Sequence, residues 1–344
     1  MPLPRFVRVH PEAKVTPEEL LELEAYLAPW TPAPTLSETT PAASPNAVTA
    51  FASLVTVQPE FDGFPFDPNF ENWEPISTTD RGDNNTLRLI LGNEVAVKAA
   101  KSGHISPWPD ESRFAKIAWQ QELGSDSLIH PGSFVQVELM LKDAQRYKDT
   151  EGWGWGRWRG LDLKPYGTNA QFVNECTGCH QPMRVNDYVY TLPITPAKVR
   201  GDEVVNNSAA ALSADLPDQP LGWRAITMYV DPRTLTMATL YGDASAMQNM
   251  QASRSDLAGQ KAPSYAPGAV LALVTWMQRD DPHWFGARIP AVPQSVEFVQ
   301  VTAAGQANRY RHFAGPELAE DHPAPSAVAQ RTGLILGLVP ARLP

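Results

Sequence analysis

Two cysteines and a histidine stand close together in the segment NECTGCHQPM, residues 174–183. Cys176 and Cys179 are the only cysteines of the 344-residue chain, and His180 follows the second one directly. This spacing lets two thiols add to the two vinyl groups of one haem while the adjacent histidine ligates the iron. The motif therefore predicts one covalently attached haem c, with His180 as the metal ligand.

Two closely spaced thiols could also form a disulfide, a redox pair or half of a zinc site. Zinc takes four nitrogen or sulfur ligands, usually supplied as two such pairs, and the sequence holds no second pair. A redox pair normally opens a helix after a strand, and the preceding residues TNAQFV give no strand-to-helix signal. Haem attachment is the chemistry that the motif favours.

Composition disfavours some classes of partner. The formal net charge of −10 and the pI near 5.2 argue against nucleic acids and anionic membranes as partners. No apolar run approaches the roughly 18 residues that a membrane-spanning helix needs, so we expect no membrane insertion. The length and the hydrophobic content of 43% suit a globular chain of two domains, or of two domains plus an appendage.

The motif also suggests where the protein is located. Haem c is attached outside the bacterial cytoplasm, so the periplasm is the expected compartment. The N-terminal segment MPLPRFVRVHPEAKV lacks the apolar core of a signal peptide. We therefore expect that the export signal, or a longer N-terminal region, is absent from this version of the chain.

The N-terminal part of the chain predicts a helix followed by a tether. Thr16 suits the N-cap and Glu19 completes a capping box, after which leucines recur on one face until Pro29 ends the run. Residues 1–30 are thus predicted to be an amphipathic helical segment. Residues 31–58 are rich in Pro, Ala, Ser and Thr, a composition typical of an extended linker.

An internal repeat follows the linker. The segment that begins at Asn72 aligns without a gap with the segment that begins at Gly222. The matching pairs are Trp73 and Trp223, Ile76 and Ile226, Thr86 and Thr236, Gly92 and Gly242, and Ala96 and Ala246. The tetrapeptide FVQV also occurs twice, at residues 134–137 and 298–301. Several matches in the same order indicate two copies of one fold.

The two copies divide the rest of the chain. We predict a haem-binding domain over residues 59–205 and a degenerate second copy over residues 206–344, which has no cysteine and cannot hold haem c. Runs such as NTLRLILGN and TLTMATLYGD end at turn residues and predict strands, while NEVAVKAAKSG and DASAMQNMQ predict short helices capped by Asn93 and Asp243. Because the strands come in runs, we predict an α+β fold of two β-rich domains, each an antiparallel sheet with a few helices.

Four separated motifs carry a resemblance to a known family. In order, they are NNTLRLILGNEVAVKAA, PWPDESRFAKIAWQ, VELMLKDAQRYKDTEGWGWGRW and NECTGCHQPMRVNDYVYT. Through them, residues 59–195 resemble the cytochrome P-460 family, which includes the cytochrome c′-beta proteins, and residues 214–320 carry a degenerate echo. The resemblance implies a small periplasmic mono-haem protein, typically a homodimer, with five-coordinate iron and an open distal face. We expect the second copy to stand in for the partner of that dimer.

The resemblance also implies a functional lysine. Members of the P-460 branch attach a lysine to the haem macrocycle and oxidise hydroxylamine, whereas the c′-beta branch lacks this link and binds gases such as nitric oxide. The linking lysine lies on a strand just after an Asp-Gly-Thr-like turn, and PDESRFAKIAW puts Lys116 there, although Glu111 replaces the turn glycine. Burial beside Phe114 and Ala118 on one strand face would lower the pKa of the amine and free it to react. A lysine that extends from the strand edge into water is the alternative.

Two further residues are candidates for the surroundings of the haem. Trp155 lies in GWGWGRW, where the glycines allow close approach of a flat macrocycle or of another backbone. An ordinary aromatic core strand is the alternative there. Glu175 directly precedes the first cysteine and is a candidate proton acceptor, or else a solvated loop carboxylate.

Hydroxylamine oxidation is the function that these residues and the resemblance favour. Hydroxylamine would bind the iron through nitrogen, lose protons to a carboxylate such as Glu175 and pass electrons to an external acceptor, while Lys116 tunes the macrocycle. Lys116 and Glu175 are therefore the expected catalytic residues. A haem protein that only binds nitric oxide or another gas is one alternative. An electron-transfer cytochrome is the other, and it would normally have two strong axial ligands.

Overall fold

The computed structural model describes residues 16–27, 57–196, 205–253 and 263–344. The chain divides into two units, residues 1–56 and residues 57–344. In the first unit, helix α1 (Pro17–Leu27) begins with the predicted capping box: the Glu19 N–H donates to Thr16 Oγ1 at 3.2 Å, and the Thr16 N–H donates to Glu19 Oε2 at 2.8 Å. The predicted linker, residues 31–58, lies outside the described residues except for its last two.

The second unit consists mainly of antiparallel strands, as predicted. Its described residues form the strands β1 (Glu74–Arg81), β2 (Thr86–Gly92), β3 (Arg113–Leu123), β4 (Ile129–Lys142), β5 (Trp153–Arg159), β6 (Lys164–Pro165), β7 (Arg224–Asp231), β8 (Thr236–Gly242), β9 (Val270–Asp280), β10 (Ala287–Gln300), β11 (Arg309–Ala314) and β12 (Ala319–Asp321). They also form the helices α2 (Glu94–Ser102), α3 (Gln171–His180), α4 (Ala244–Ser253) and α5 (Pro325–Gly337). Among the described helices, none has the length and apolar character needed to cross a membrane.

Strands of both copies close into one ring. In the described part of the chain, the order is β1–β2–β3–β4–β7–β8–β9–β10, and β10 pairs back with β1. The two junctions are short: β4 meets β7 at Ile129 and Val230, and β10 meets β1 where Arg288 pairs with Asp80. Each copy therefore supplies half of one closed sheet. The predicted arrangement, with a separate sheet for each domain, is wrong. Closure pairs backbone groups that would otherwise form open sheet edges.

The strand registers of the two aligned segments are the same. Strand β1 pairs with β2 in the same register as β7 with β8, and both pairs have an irregularity at the same place, after Pro75 and after Ala225. The helices that follow begin with equivalent caps, since Asn93 Oδ1 accepts from the Ala96 N–H and Asp243 Oδ1 accepts from the Ala246 N–H. The two copies thus share local geometry as well as sequence.

The FVQV match is wrong as an alignment of the two copies. Trp119 pairs with Phe134 across β3 and β4, whereas the equivalent Trp276 pairs with Pro293 across β9 and β10. Phe134 therefore corresponds to Pro293 and not to Phe298. The irregularities of β3 and β4 recur at the equivalent places of β9 and β10, so the strand register aligns β4 with β10 and the repeated tetrapeptide does not.

Buried side chains fill the ring and cover its two outer faces. Trp119 and Trp276 belong to the cluster shared by both copies inside the ring, and neither is more than 1% exposed. Because side chains alternate along a strand, the next residues of β3 and β9 lie on the outer faces. The outer face of the first copy packs against α2 and α3, and that of the second copy against α4 and α5 through residues such as Met247 and Ile335.

Candidate functional site

The Cys-x-x-Cys-His motif forms the last turns of α3. Phe172 and Cys176 are four residues apart, share one face of the helix and are buried on the outer face of the first copy, while Cys179 is exposed. The cluster that receives them, called the outer-face cluster below, contains Ile76, Ile90, Ala96, Val97, Ala99, Ala100, Ile105, Trp108, Phe114, Trp153, Trp155, Phe172, Cys176 and Val189. Both cysteines are free thiols, and burial raises the pKa of Cys176 to about 12.

His180 has the protonation and orientation of a metal ligand. Its Nδ1 lies 2.7 Å from the carbonyl oxygen of Tyr188, which can only accept, so Nδ1 carries the proton and Nε2 keeps its lone pair. Burial lowers the pKa of His180 to about 4, and the ring is therefore neutral at pH 7. Trp155, a predicted neighbour of the haem, packs against this ring with 4.6 Å between ring centroids. The Tyr190 ring contacts it edge-to-face with 5.1 Å between centroids. The structure thus brings Trp155 and His180 together.

A strained loop presents the carbonyl group to His180. Asp187 and Tyr188 both have left-handed backbones, with φ of 49° and 66°. Such conformations are unfavourable for these residues and require support from their surroundings. The Asp187 carboxylate supplies it by accepting from Lys142 Nζ at 2.8 Å and from the backbone N–H of Trp108 at 2.8 Å. We call residues 186–190 the proximal loop.

A charged row crosses the outer face beside α3. Lys116, Glu138 and Arg157 pair in register across β3, β4 and β5. The ammonium of Lys116 forms an ion pair with Glu138, whose Oε1 lies 2.9 Å from Arg157 Nε. On α3, the half-exposed Glu175 has its Oε1 3.6 Å from Arg157 Nη1. The row therefore connects the predicted residues Lys116 and Glu175 through two residues that the sequence did not single out.

Burial and charge set the protonation states in this row. Burial lowers the pKa of Lys116, which the neighbouring carboxylate counteracts in part. Burial alone would raise the pKa of Glu138, but the charges of Lys116 and Arg157 outweigh it and lower the pKa to about 2. The same three charges act on the pKa of His180, so the row and the motif share one electrostatic environment. The Lys116 side chain is partly exposed, and its strand places it on the outer face that packs against α3.

The glycines beside Trp155 serve the core. A side chain at Gly154 would clash with the ring of Tyr147, and one at Gly156 would clash with the ring of Trp158. These aromatic side chains fill the space, so the predicted approach of a macrocycle or a backbone at the glycines is wrong. On the other face, the indole Nε1 of Trp155 is buried and has no hydrogen-bond partner among the described residues.

The second copy has a related outer face with different chemistry. Leu273 stands where the first copy has Lys116, while Glu297 corresponds to Glu138 in the strand register. Glu297 is buried and accepts from Arg331 Nε of α5 at 2.8 Å and from the hydroxyl of Tyr310 at 2.6 Å. A helix without cysteine therefore satisfies the retained carboxylate. An alignment of VELML (residues 137–141) with VEFVQ (residues 296–300) matches the two glutamates, whereas the FVQV alignment places them out of register.

A large cavity lies away from the motif. Its volume is about 1070 Å³, and its lining includes Trp73, Ile117, Met228 and the C-terminal residues 337–344. None of the predicted site residues lines it. The chemistry of the motif therefore belongs to the outer face of the first copy.

Replacing Glu138 by glutamine tests the charged row. We expect the free energy of unfolding at pH 7 to fall by about 1–3 kcal/mol, because Lys116 and Arg157 lose their shared anion. The pKa of Glu138 is lowered in the folded state, so its contribution is present above pH 4.5 and is lost as the pH falls through about 2. Urea unfolding across this range measures the difference. Glu320→Gln breaks an exposed pair with Arg311 and should change stability less than Glu138→Gln does; equal stability of both variants at pH 7 would contradict the prediction.

Comparisons with known proteins agree with this geometry. A search of curated proteins finds no match to the chain. The family model for cytochrome P460 matches residues 68–191, the segment that carries α3, the charged row and the proximal loop. The free thiols, the neutral His180 with an available Nε2 and the unpartnered Trp155 indole fit the haem that such proteins carry. Over this segment the chain is similar to cytochrome P460, and the similarity implies a haem c protein of the P460 or c′-beta kind.

Proposed function

We propose that this protein is a periplasmic mono-haem c protein that oxidises hydroxylamine, with Lys116 attached to the haem. The observation that carries the proposal is the position of the Lys116 amine. It lies on the sheet face that packs against α3, within electrostatic range of both Cys176 and His180, and burial lowers its pKa. A lowered pKa gives a larger share of the neutral, reactive amine.

In this proposal, some residues of the site bind the cofactor and another transfers protons. Haem c, when bound, supplies an iron that takes a small nitrogen compound and passes its electrons to an external acceptor. Cys176 and Cys179 would hold the haem covalently, and His180 would ligate its iron through Nε2. Glu175 is half-exposed and paired with Arg157 at 3.6 Å, so it would be able to accept a proton and release it to solvent.

The ion pair of Lys116 supports a second candidate function. With Glu138 and Arg157 held beside it, an ammonium that stays charged is a poor nucleophile and would leave the haem unmodified. The protein would then bind nitric oxide or a similar gas without turnover. An electron-transfer cytochrome would differ from both, because a second strong axial ligand would close the iron to carbon monoxide.

Spectroscopy and turnover of the matured protein separate these functions. For the enzyme, we expect a ferrous band far to the red of ordinary haem c, immediate carbon monoxide binding, and hydroxylamine oxidation with an artificial electron acceptor. An ordinary haem c spectrum with nitric oxide binding and no turnover would contradict the enzyme and support the gas-binding function. Failure to bind carbon monoxide would contradict both.

A further inference from the structure

A turn of the second copy contacts the loop behind the iron ligand. This second-copy turn, residues 281–286, connects β9 to β10. His283 Nδ1 lies 2.7 Å from the carbonyl oxygen of Tyr190, and His283 Nε2 lies 3.4 Å from the side-chain nitrogen of Asn186. The carbonyl can only accept and the amide nitrogen can only donate, so one neutral tautomer of His283 satisfies both contacts. His283 therefore bridges the two ends of the proximal loop.

The bridged loop makes two polar contacts with the haem-attachment motif. At its centre the carbonyl of Tyr188 accepts from His180, and at its end the Tyr190 hydroxyl donates to the carbonyl of Cys179 at 2.8 Å. Within the loop, the Val189 N–H donates to the Asn186 carbonyl at 3.1 Å, and the Asp187 and Tyr188 N–H groups donate to the carbonyls of Arg184 and Met183 at 3.1 and 2.8 Å. Its left-handed residues need outside support, which Asp187 supplies from the first copy and His283 from the second.

The second-copy turn is itself fixed in place. The backbone N–H of His283 donates to Asp281 Oδ1 at 2.9 Å, and the N–H of Gly82 in the first copy donates to the Gly286 carbonyl at 3.1 Å. Trp284 packs edge-on against Tyr190 with 5.0 Å between ring centroids. The guanidinium of Arg81 lies over the Trp284 ring, 4.1 Å from its centroid. These contacts hold the imidazole of His283 at a constant position relative to the proximal loop.

We propose that His283 is a positioning residue for the iron ligand, through which the second copy completes the haem site of the first. The proposal rests on the haem binding proposed above. A hydrogen bond from Nδ1–H to a carbonyl fixes the orientation of a ligating histidine and raises its basicity. Holding the Tyr188 carbonyl against His180 therefore strengthens the ligand. This gives the copy without haem a direct role in the chemistry.

Three variants of the haem-loaded 344-residue chain test the role of His283. His283→Leu removes both hydrogen bonds, whereas His283→Asn keeps an N–H near the position of Nδ1. His322→Gln changes an exposed histidine elsewhere in the second copy and serves as the control. For the leucine variant we expect a lower iron–histidine stretching frequency by resonance Raman spectroscopy. We also expect roughly a tenfold larger equilibrium constant for one-electron reduction of the haem, because the weakened ligand stabilises the ferric state less. This corresponds to a reduction potential about 59 mV more positive. The asparagine and control variants should stay near the wild type.

The outcomes separate this proposal from the proposed function. Haem-loaded His283→Leu with an unchanged stretching frequency and reduction potential would overturn the role of His283 alone. Wild-type protein without covalent haem, by the pyridine haemochrome assay, would instead overturn the haem site. If the leucine variant fails to fold, Asn186→Ala replaces it, because this change removes only the contact with Nε2. It should shift both quantities in the same direction by a smaller amount, and no shift would overturn the proposal.

Discussion

Replacing both Cys176 and Cys179 by alanine is expected to abolish covalent haem attachment completely. They are the only cysteines of the chain, so no other side chain can form a thioether with a vinyl group. Wild-type protein should carry one haem per chain that survives acid-acetone extraction, and the double variant should carry none. Iron analysis and the pyridine haemochrome assay measure both values. Two haems per chain in the wild type, or extraction-resistant haem in the double variant, would contradict the assignment.

The exposed cysteine offers a control for folding. Cys179 is exposed, so Cys179→Ala should change the free energy of unfolding by less than about 0.5 kcal/mol while leaving a single thioether site. Cys176 is buried in the outer-face cluster, and its replacement removes packing as well as chemistry. Loss of haem in a stably folded Cys179→Ala protein would therefore reflect attachment chemistry and not unfolding.

Replacing Lys116 is expected to give the second largest effect. Both Lys116→Leu and Lys116→Arg should move the ferrous band back to the position of ordinary haem c and abolish hydroxylamine oxidation, since neither side chain offers a primary amine. Nitric oxide binding should remain in both variants, because it depends on His180 and an open iron face. Optical spectra and turnover with an artificial electron acceptor measure these changes.

The two Lys116 variants differ in stability, which separates electrostatics from chemistry. Arginine at position 116 keeps a cation beside Glu138. Leucine removes that cation, so Glu138 keeps only its ion pair with Arg157. We expect Lys116→Leu to lower the free energy of unfolding by about 1–3 kcal/mol and Lys116→Arg to lower it less. The second copy carries Leu273 at this position, where the strand partner Glu297 is bound by Arg331. A red-shifted band and turnover that survive in Lys116→Arg would show that the lysine amine is not required.

The sequence alone determined the features that depend on neighbouring residues. The Cys-x-x-Cys-His spacing, the capping box at Thr16 and the ungapped alignment after Asn72 are local patterns. The structure contains the capping box, and the two aligned segments have the same strand register. Strand periodicity also placed Lys116 on one face with Phe114, because side chains alternate along any strand. Each of these features depends on the order of residues within one short segment.

Tertiary structure decided which distant segments meet. Whether the two copies form two sheets or one ring depends on backbone pairing at the sheet edges, which side-chain patterns do not specify. The partner of Lys116 depends on the register between β3 and β4, and irregularities in those strands determine that register. His283 reaches Tyr190 across 93 positions of sequence only because ring closure brings the second-copy turn to the proximal loop. Such contacts arise from the folded backbone, so no short motif contains them.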